Sequence, residues 1–213
     1  MKIAIIGASG KAGSLILKEA VGRGHEVTAI VRDANKIQGQ NVAVLEKDIF
    51  ALKAEDINTF DAVVNAFNAA PGQEHQHIEA GKVLIEALKG APQTKLVVVG
   101  GAGSLFVDEE KTLRVLETPD FPEAYFPTAS NMGKNLEELQ STSGILWTYI
   151  SPAGFFNPGG LRTGSYKKGK DQLILNAKGE SYISYADYAI AVLDEIETPQ
   201  HVNERFSVVA EAE

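Results

Sequence analysis

The 213-residue chain has no cysteine, only two methionines and a single tryptophan, Trp147. Without cysteine, disulfides, thiol nucleophiles, thiolate-held zinc and iron–sulfur clusters are closed to it. Long apolar runs are missing too. Nothing approaches the roughly 18 consecutive apolar residues that a membrane-spanning helix requires, so no membrane partner is expected. There is no run of Lys and Arg, and 28 acidic against 20 basic residues leave a formal charge of −8. A nucleic-acid-binding surface is therefore not expected. The opening Met1-Lys2-Ile3-Ala4-Ile5-Ile6-Gly7 has too short an apolar stretch for a secretory signal and no cleavage site. The expectation is a cytoplasmic protein.

What is present is a globular composition, 44% hydrophobic and 23% charged, at a length that suits one α/β domain. Residues 3–6 form a short apolar run closed by Gly7, the pattern of a strand buried on both faces of a parallel sheet. From Lys11 the spacing turns helical: Ala12, Leu15, Ile16 and Ala20 fall three and four apart until Gly22 and Gly24 stop the helix. Residues 26–31 read as the next strand, which completes a right-handed βαβ unit. Further strands are expected at 42–45, 62–64, 96–99, 146–150 and 206–209, and helices at 78–88, 131–139 and 185–197. This alternation indicates the α/β class, with a Rossmann-type doubly wound parallel sheet.

Beyond Pro152 the texture becomes turn-rich. Residues 172–176 and 181–184 flank Ala177-Lys178-Gly179-Glu180 in the manner of a hairpin. Ser184 to Asp187 looks like a capping box, with Asp in place of Glu, opening the last helix. The segment at about 154–184 is expected to be a small C-terminal lobe over the carboxyl edge of the sheet, inserted in a single domain spanning 1–213.

The first strand–helix turn carries the main chemical sign: Gly7-Ala8-Ser9-Gly10-Lys11-Ala12-Gly13. A glycine triplet is common in turns, but here it sits directly between a strand and an amphipathic helix, where the chemistry needs it. Gly7 permits the tight turn and Gly10 lets the backbone approach a pyrophosphate. Ser9, Lys11 and Ala12 belong to the helix start whose free N–H groups stabilise that charge, and Gly13 lets the helix pack closely. About 20 residues on, just past the second strand, stands Arg32-Asp33. An acid there would hold the ribose hydroxyls of NAD, and an arginine the 2′-phosphate of NADP. Arg32 comes first, with Lys36 nearby, and Asp33 has a competing role as N-cap of a short turn. NADP(H) is therefore favoured over NAD(H). Ligands of doubly wound sheets bind at the carboxyl ends of the strands. That adds Asp48 and Ile49 after the third strand, Asn65, Ala66 and Phe67 after the fourth, Gly100 after the fifth, and Pro152 and Ala153 after the sixth. His75 and His77 have no partner cluster and read as a solvated helix start, and His25 and His201 read as loop residues, so no metal site is expected.

Taken with its context, the two-residue spacing between the glycines resembles the short-chain dehydrogenase/reductase superfamily, in particular its atypical NmrA-like and flavin-reductase-like branch. The resemblance extends over nearly the whole chain. In the C-terminal third, residues 147–153 (Trp-Thr-Tyr-Ile-Ser-Pro-Ala), Arg162-Thr163-Gly164 and residues 183–189 (Ile-Ser-Tyr-Ala-Asp-Tyr-Ala) are similar to bacterial NADH-flavin reductase-like proteins. The resemblance implies that Asp48 and Ile49 lie around the adenine, that Asn65 to Phe67 run past a ribose, and that Pro152 and Ala153 lie beside the nicotinamide. Typical members use a tyrosine acid with a lysine four residues later, which lowers its pKa. Here Tyr125 is followed four places on by Ala129, and Tyr166 and Lys170 share the spacing only by coincidence in a loop. Ser104, Ser130 and Lys134 are polar candidates, and the catalytic residues stay unassigned. The implied function is an NAD(P)H-dependent oxidoreductase passing hydride to a flavin or quinone-like small aromatic acceptor, with FMN or FAD as candidate substrates. Phe155, Phe156 and Tyr166 would supply apolar walls. The alternative is a non-catalytic NADP(H)-sensing regulator, which the missing Tyr–Lys pair fits equally well. An epimerase or dehydratase, which uses that pair, fits less well.

Overall fold

The apolar runs at 3–6, 62–65, 95–99 and 146–151 become neighbouring strands covered on both faces, whereas the marginal strand at 43–46 stays largely exposed. The computed structural model describes residues 1–211. Along the chain, β1 (Lys2–Ile6), α1 (Lys11–Gly22), β2 (Glu26–Val31), β3 (Ala43–Glu46) and the one-turn helix α2 (Ala54–Ile57) come first. They lead into β4 (Ala62–Asn65), α3 (Gln76–Lys89), β5 (Lys95–Val99), α4 (Phe126–Ser141) and β6 (Leu146–Ser151). The short strands β7 (Phe155–Asn157), β8 (Lys167–Gly169) and β9 (Tyr182–Ser184) follow, then α5 (Tyr185–Glu197) and β10 (Glu204–Val209). Eight strands form one sheet in the order β3-β2-β1-β4-β5-β6-β10-β8. All neighbours are parallel except β8, which runs antiparallel to β10. The strand order reverses between β1 and β4, as a doubly wound sheet requires.

Alternation along β1 divides the core. Ile3 and Ile5 pack with Ile16, Leu17 and Ala20 of α1 and with Val192 and Leu193 of α5. Ala4 and Ile6 face the other way, onto Leu84 and Leu88 of α3 and Leu136 and Leu139 of α4. Each fully buried Leu or Ile contributes roughly 1.5–3 kcal/mol of transfer free energy, so these two layers hold the sheet in place.

Three expectations need correction. The helix read at 131–139 begins five residues earlier, at Phe126. Pro127 occupies its first turn, where a missing N–H costs nothing, and no side chain caps it, so the usual start signal is absent. The hairpin does not form. Asn176 and Glu180 close a turn through Gly179, at φ +79°, but residues 182–184 pair in parallel with β7 instead. The capping box is half made: Asp187 N–H donates to Ser184 Oγ at 2.9 Å, while the Asp187 carboxylate turns elsewhere. Fully buried, it accepts from Thr163 N–H and Gly164 N–H, both at 2.9 Å, and from Thr163 Oγ1 at 2.7 Å. That carboxylate docks the 158–166 loop on the α5 side.

The opposite side has its own tie. Arg205 of β10, its side chain only 3% exposed, donates to Asp171 at 2.9 Å and reaches Ser104 at 3.3 Å, and Asp171 also receives Lys111 at 2.7 Å. Burial pushes the Asp171 carboxyl up, but the bonds from Lys111 and Arg205 outweigh it and hold it below its ordinary value. Such a depressed group adds stability above its unfolded pKa and loses it as pH falls through the folded one. Arg205→Met should cost about 1.5–3 kcal/mol at neutral pH, the worth of hydrogen bonds to a charged group, since Asp171 keeps Lys111, read by urea unfolding. The gap to the unsubstituted protein should narrow below about pH 4 as Asp171 protonates. A gap unchanged between neutral and acid pH would contradict this assignment.

Candidate functional site

The carboxyl ends of β1, β2 and β4 are drawn together by the sheet register. Gly7 N–H donates to the Ile30 carbonyl at 3.1 Å and Ala66 N–H to the Ile6 carbonyl at 3.0 Å. Gly7 has φ +74°, and a Cβ there would stand 2.6 Å from the Ala66 carbonyl oxygen. Only glycine meets both conditions. A Cβ on Gly13 would overlap the Gly7 carbonyl oxygen, so the third glycine lets α1 rise directly against the turn. Gly10 is the N-cap of α1, without a side-chain cap, and the first turn of the helix holds no acidic residue. Ser9, Gly10 and Lys11 are exposed, Ala12 is half-buried and Gly13 is buried. The positive end of the helix dipole is thus left to solvent beside an exposed lysine, which is the chemistry that a pyrophosphate requires.

Past β2, Arg32 and Lys36 are exposed, and among the described residues no ion pair engages either. Asp33 caps a 3₁₀ turn over Ala34–Ile37: its Oδ1 accepts from Asn35 N–H and from Asn35 Nδ2, both at 3.0 Å. Glu46, on the next strand, accepts from Ala34 N–H at 2.9 Å. The Asp33 and Glu46 carboxylates are therefore both committed to backbone N–H groups. Lys47 N–H donates to the Val31 carbonyl at 2.9 Å, which sets Asp48 beside this corner. Asp48 caps its own 3₁₀ turn, accepting from Phe50 N–H at 3.0 Å, and Ile49 is buried. Asn65 Oδ1 accepts from Phe67 N–H at 3.1 Å and so shapes the exit from β4.

Across β4 the edge continues through Gly100, Pro152 and Ala153, all buried. Gly100 N–H donates to the Ile150 carbonyl at 2.9 Å, which sets the turn after β5 against the end of β6. Ala153 shares a core cluster with Ala8 of the glycine turn. The sequence-read positions thus form one continuous line along the carboxyl edge, with the Gly7–Gly13 turn at its centre.

Other candidates lie away from this line. Ser104 is buried, and its Oγ accepts from Arg205. Tyr166 packs on the core and donates to Asp194 Oδ2 at 2.8 Å, so its spacing to Lys170 has no bearing on the site. Phe156 lies against Tyr185 and Tyr188, with ring centroids 3.9 and 4.8 Å away. Of the three proposed wall residues only Phe155 stays open, at 61% exposure. His77 is not solvated as expected: it is buried against Phe67 and receives Ala69 N–H at its Nε2, and burial pushes its pKa down. His25 and His201 are each bonded to a glutamate, Glu197 and Glu195 respectively. Among the described residues no group of three or more acids and histidines could hold a metal ion. Two hollows, of about 370 Å³ beside Phe50 and Val83 and about 150 Å³ beside Arg114 and Arg205, lie off the glycine turn.

A family model described as NAD(P)H-binding matches residues 7–199. The chain belongs to the NAD(P)H-binding family. Its place among atypical short-chain dehydrogenase/reductase-like proteins and its Rossmann-type sheet agree with the sequence reading. YwnB of Bacillus subtilis (strain 168) is 71% identical over 213 residues, all of both chains. SP1627 of Streptococcus pneumoniae TIGR4, described as a "putative NADH-flavin reductase", is 45% identical over 99% of this chain and 100% of its own, with a TM-score of 0.94. A "putative epimerase" from Bacteroides thetaiotaomicron is 38% identical, covering 100% and 98% of the two chains, with a TM-score of 0.89. A family member of this kind binds a nicotinamide dinucleotide, and the uncapped, acid-free start of α1 fits one.

The close approach at Gly7 is open to test. Gly7→Ala should destabilise by about 3 kcal/mol, left-handed strain plus overlap with Ala66. Gly24→Ala, at φ +79° with nothing within 4 Å of the new Cβ, should cost only the strain, about 1–2 kcal/mol. Equal losses in chemical denaturation would mean that the Gly7 contact carries no weight.

Proposed function

We propose that this protein is an NAD(P)H-dependent oxidoreductase that prefers NADPH and passes a hydride to a flavin or quinone-like aromatic acceptor. The observation that carries the preference is the corner past β2, where Arg32 is exposed while Asp33 and Glu46 are engaged by backbone N–H groups. A carboxylate occupied in this way does not compete with a 2′-phosphate, and an arginine fork can bind it bidentately. In this reading Gly7, Ser9, Gly10, Lys11, Ala12 and Gly13 hold the pyrophosphate and Arg32 the 2′-phosphate. Asp48 and Ile49 border the adenine, Asn65, Ala66 and Phe67 a ribose, and Gly100, Pro152 and Ala153 the nicotinamide.

When bound, the nicotinamide supplies a hydride, and the acceptor takes that hydride with a proton from water. The chain's task is to hold two flat rings in register and keep the donor face ordered. An acid side chain is not required for a flavin acceptor, which agrees with Ala129 standing where a lysine would follow Tyr125. Phe155, in β7 just past β6, lies against the Tyr182 ring with centroids 5.7 Å apart and offers an exposed aromatic surface. The name carried by SP1627, at 45% identity, supports a flavin as acceptor.

The test is a titration with NADPH and with NADH, followed by FMN, FAD or a quinone while the nicotinamide absorbance is watched. Tight NADPH binding with acceptor-dependent loss of that band is expected. Tight binding without turnover would favour an NADP(H)-sensing regulator, and no binding at all would overturn both. Arg32→Ala should weaken NADPH by about tenfold or more and leave NADH within about twofold, since one bidentate phosphate contact is worth on the order of 1.5–3 kcal/mol. Equal effects on the two cofactors would remove Arg32 from the 2′-phosphate.

A further inference from the structure

Two tyrosines stand in the core with polar tips at the β5–β6 edge, one from each face of the sheet. Tyr149, in β6, is 1% exposed. Its hydroxyl accepts the Gly101 N–H at 3.2 Å and donates to the Met132 carbonyl of α4 at 3.3 Å. A Cβ on Gly100 would overlap the Tyr149 ring, so the turn lies flat on it. The Met132 sulfur covers the other side of the turn, 3.3 Å from where a Gly101 Cβ would stand. Tyr188, in α5 on the opposite face, is fully buried, and its hydroxyl donates to the Ile150 carbonyl at 2.7 Å. That carbonyl also receives Gly100 N–H at 2.9 Å. The Gly100–Gly101 turn is thus fixed through one hydroxyl to α4 and through a shared carbonyl to α5.

We infer that Tyr149 and Tyr188 are positioning residues, a two-sided clamp that fixes the Gly100–Gly101 turn and with it the nicotinamide wall of the site. The inference rests on the oxidoreductase reading for its link to turnover. Neither residue is a catalytic acid, because both hydroxyls are buried and bonded to backbone. Burial pushes the Tyr149 phenol up to about 12 and raises Tyr188 well above its usual value. Both hydroxyls therefore stay protonated through the working pH range. The clamp matters because two glycines in succession give the turn no stiffness of their own, whereas ring-to-ring transfer is sensitive to small displacements.

The decisive variants are Tyr149→Phe and Tyr188→Phe, which keep the rings and delete the hydroxyls. Thr94→Val serves as the control: it deletes buried bonds to Ile57 and Phe60 below β5, far from the turn. Amide exchange at Gly100 and Gly101, NADPH affinity, the fluorescence of bound NADPH and kcat with FMN would be compared. In Tyr149→Phe, Gly101 exchange should quicken about tenfold or more, as expected when a buried bond is lost. NADPH affinity should hold within about twofold, while bound-NADPH fluorescence shifts and kcat falls about tenfold. Thr94→Val should lower Tm and move none of these. Unchanged Gly101 exchange would overturn the clamp, as would faster exchange with unaltered NADPH fluorescence. If the unsubstituted protein turns over no acceptor, the oxidoreductase reading fails, but exchange and NADPH fluorescence still decide the clamp.

Discussion

The structure depends on a single close approach of two backbones, where the carbonyl of Ala66 meets the α-carbon of Gly7. The approach exists because β1 and β4 run parallel in register and each continues its hydrogen bonding one step past its last strand residue. Were the two chains a side chain's width further apart, α1 could not start so near the sheet. Its N-terminus would then point away from the crevice where the strand order reverses. The glycine turn is thus a geometric consequence of the sheet as much as a binding loop. Its positive helix end is available because no side chain has been spent on capping it.

The acids around the site follow one pattern. Asp33, Asp48 and the side-chain amide of Asn65 each fold back on the N–H two residues ahead. These Asx-type turns stiffen three successive loop exits at the carboxyl edge. A chain with net charge −8 would be expected to repel a dinucleotide phosphate. Holding Asp33 and Asp48 in local hydrogen bonds, with Lys11, Arg32 and Lys36 exposed, gives this edge a different local character from the average surface.

Much of this was legible in the sequence, for identifiable reasons. β2 matches the reading over 26–31 to the residue, because Val27, Ala29, Ile30 and Val31 are all buried in the sheet. The strand–turn–helix geometry of the glycine turn and the capping role of Asp33 follow from local chemistry, and the structure shows both. The start of α4 carries no such signal, since Phe126-Pro127 opens it without a cap. The parallel pairing of β7 with β9 is non-local, and nothing in either tripeptide names its partner. The burial of His77 is not legible, because it comes from Phe67 and Ala69 in the loop after β4. Tyr149 looked like an ordinary strand residue, and only the fold brings its hydroxyl between Gly101 and Met132.

The eighth strand has a consequence of another kind. A parallel sheet ends in unpaired backbone groups that can recruit further chains. Here one margin is β3, four residues long and followed by Lys47, and the other is β8, three residues long, with Lys167 and Lys168 in it and Lys170 just past it. By reversing direction and carrying so much charge, β8 presents a poor template for addition of another strand. Short marginal strands and lysines thus disfavour the addition of a further strand at either side of the sheet.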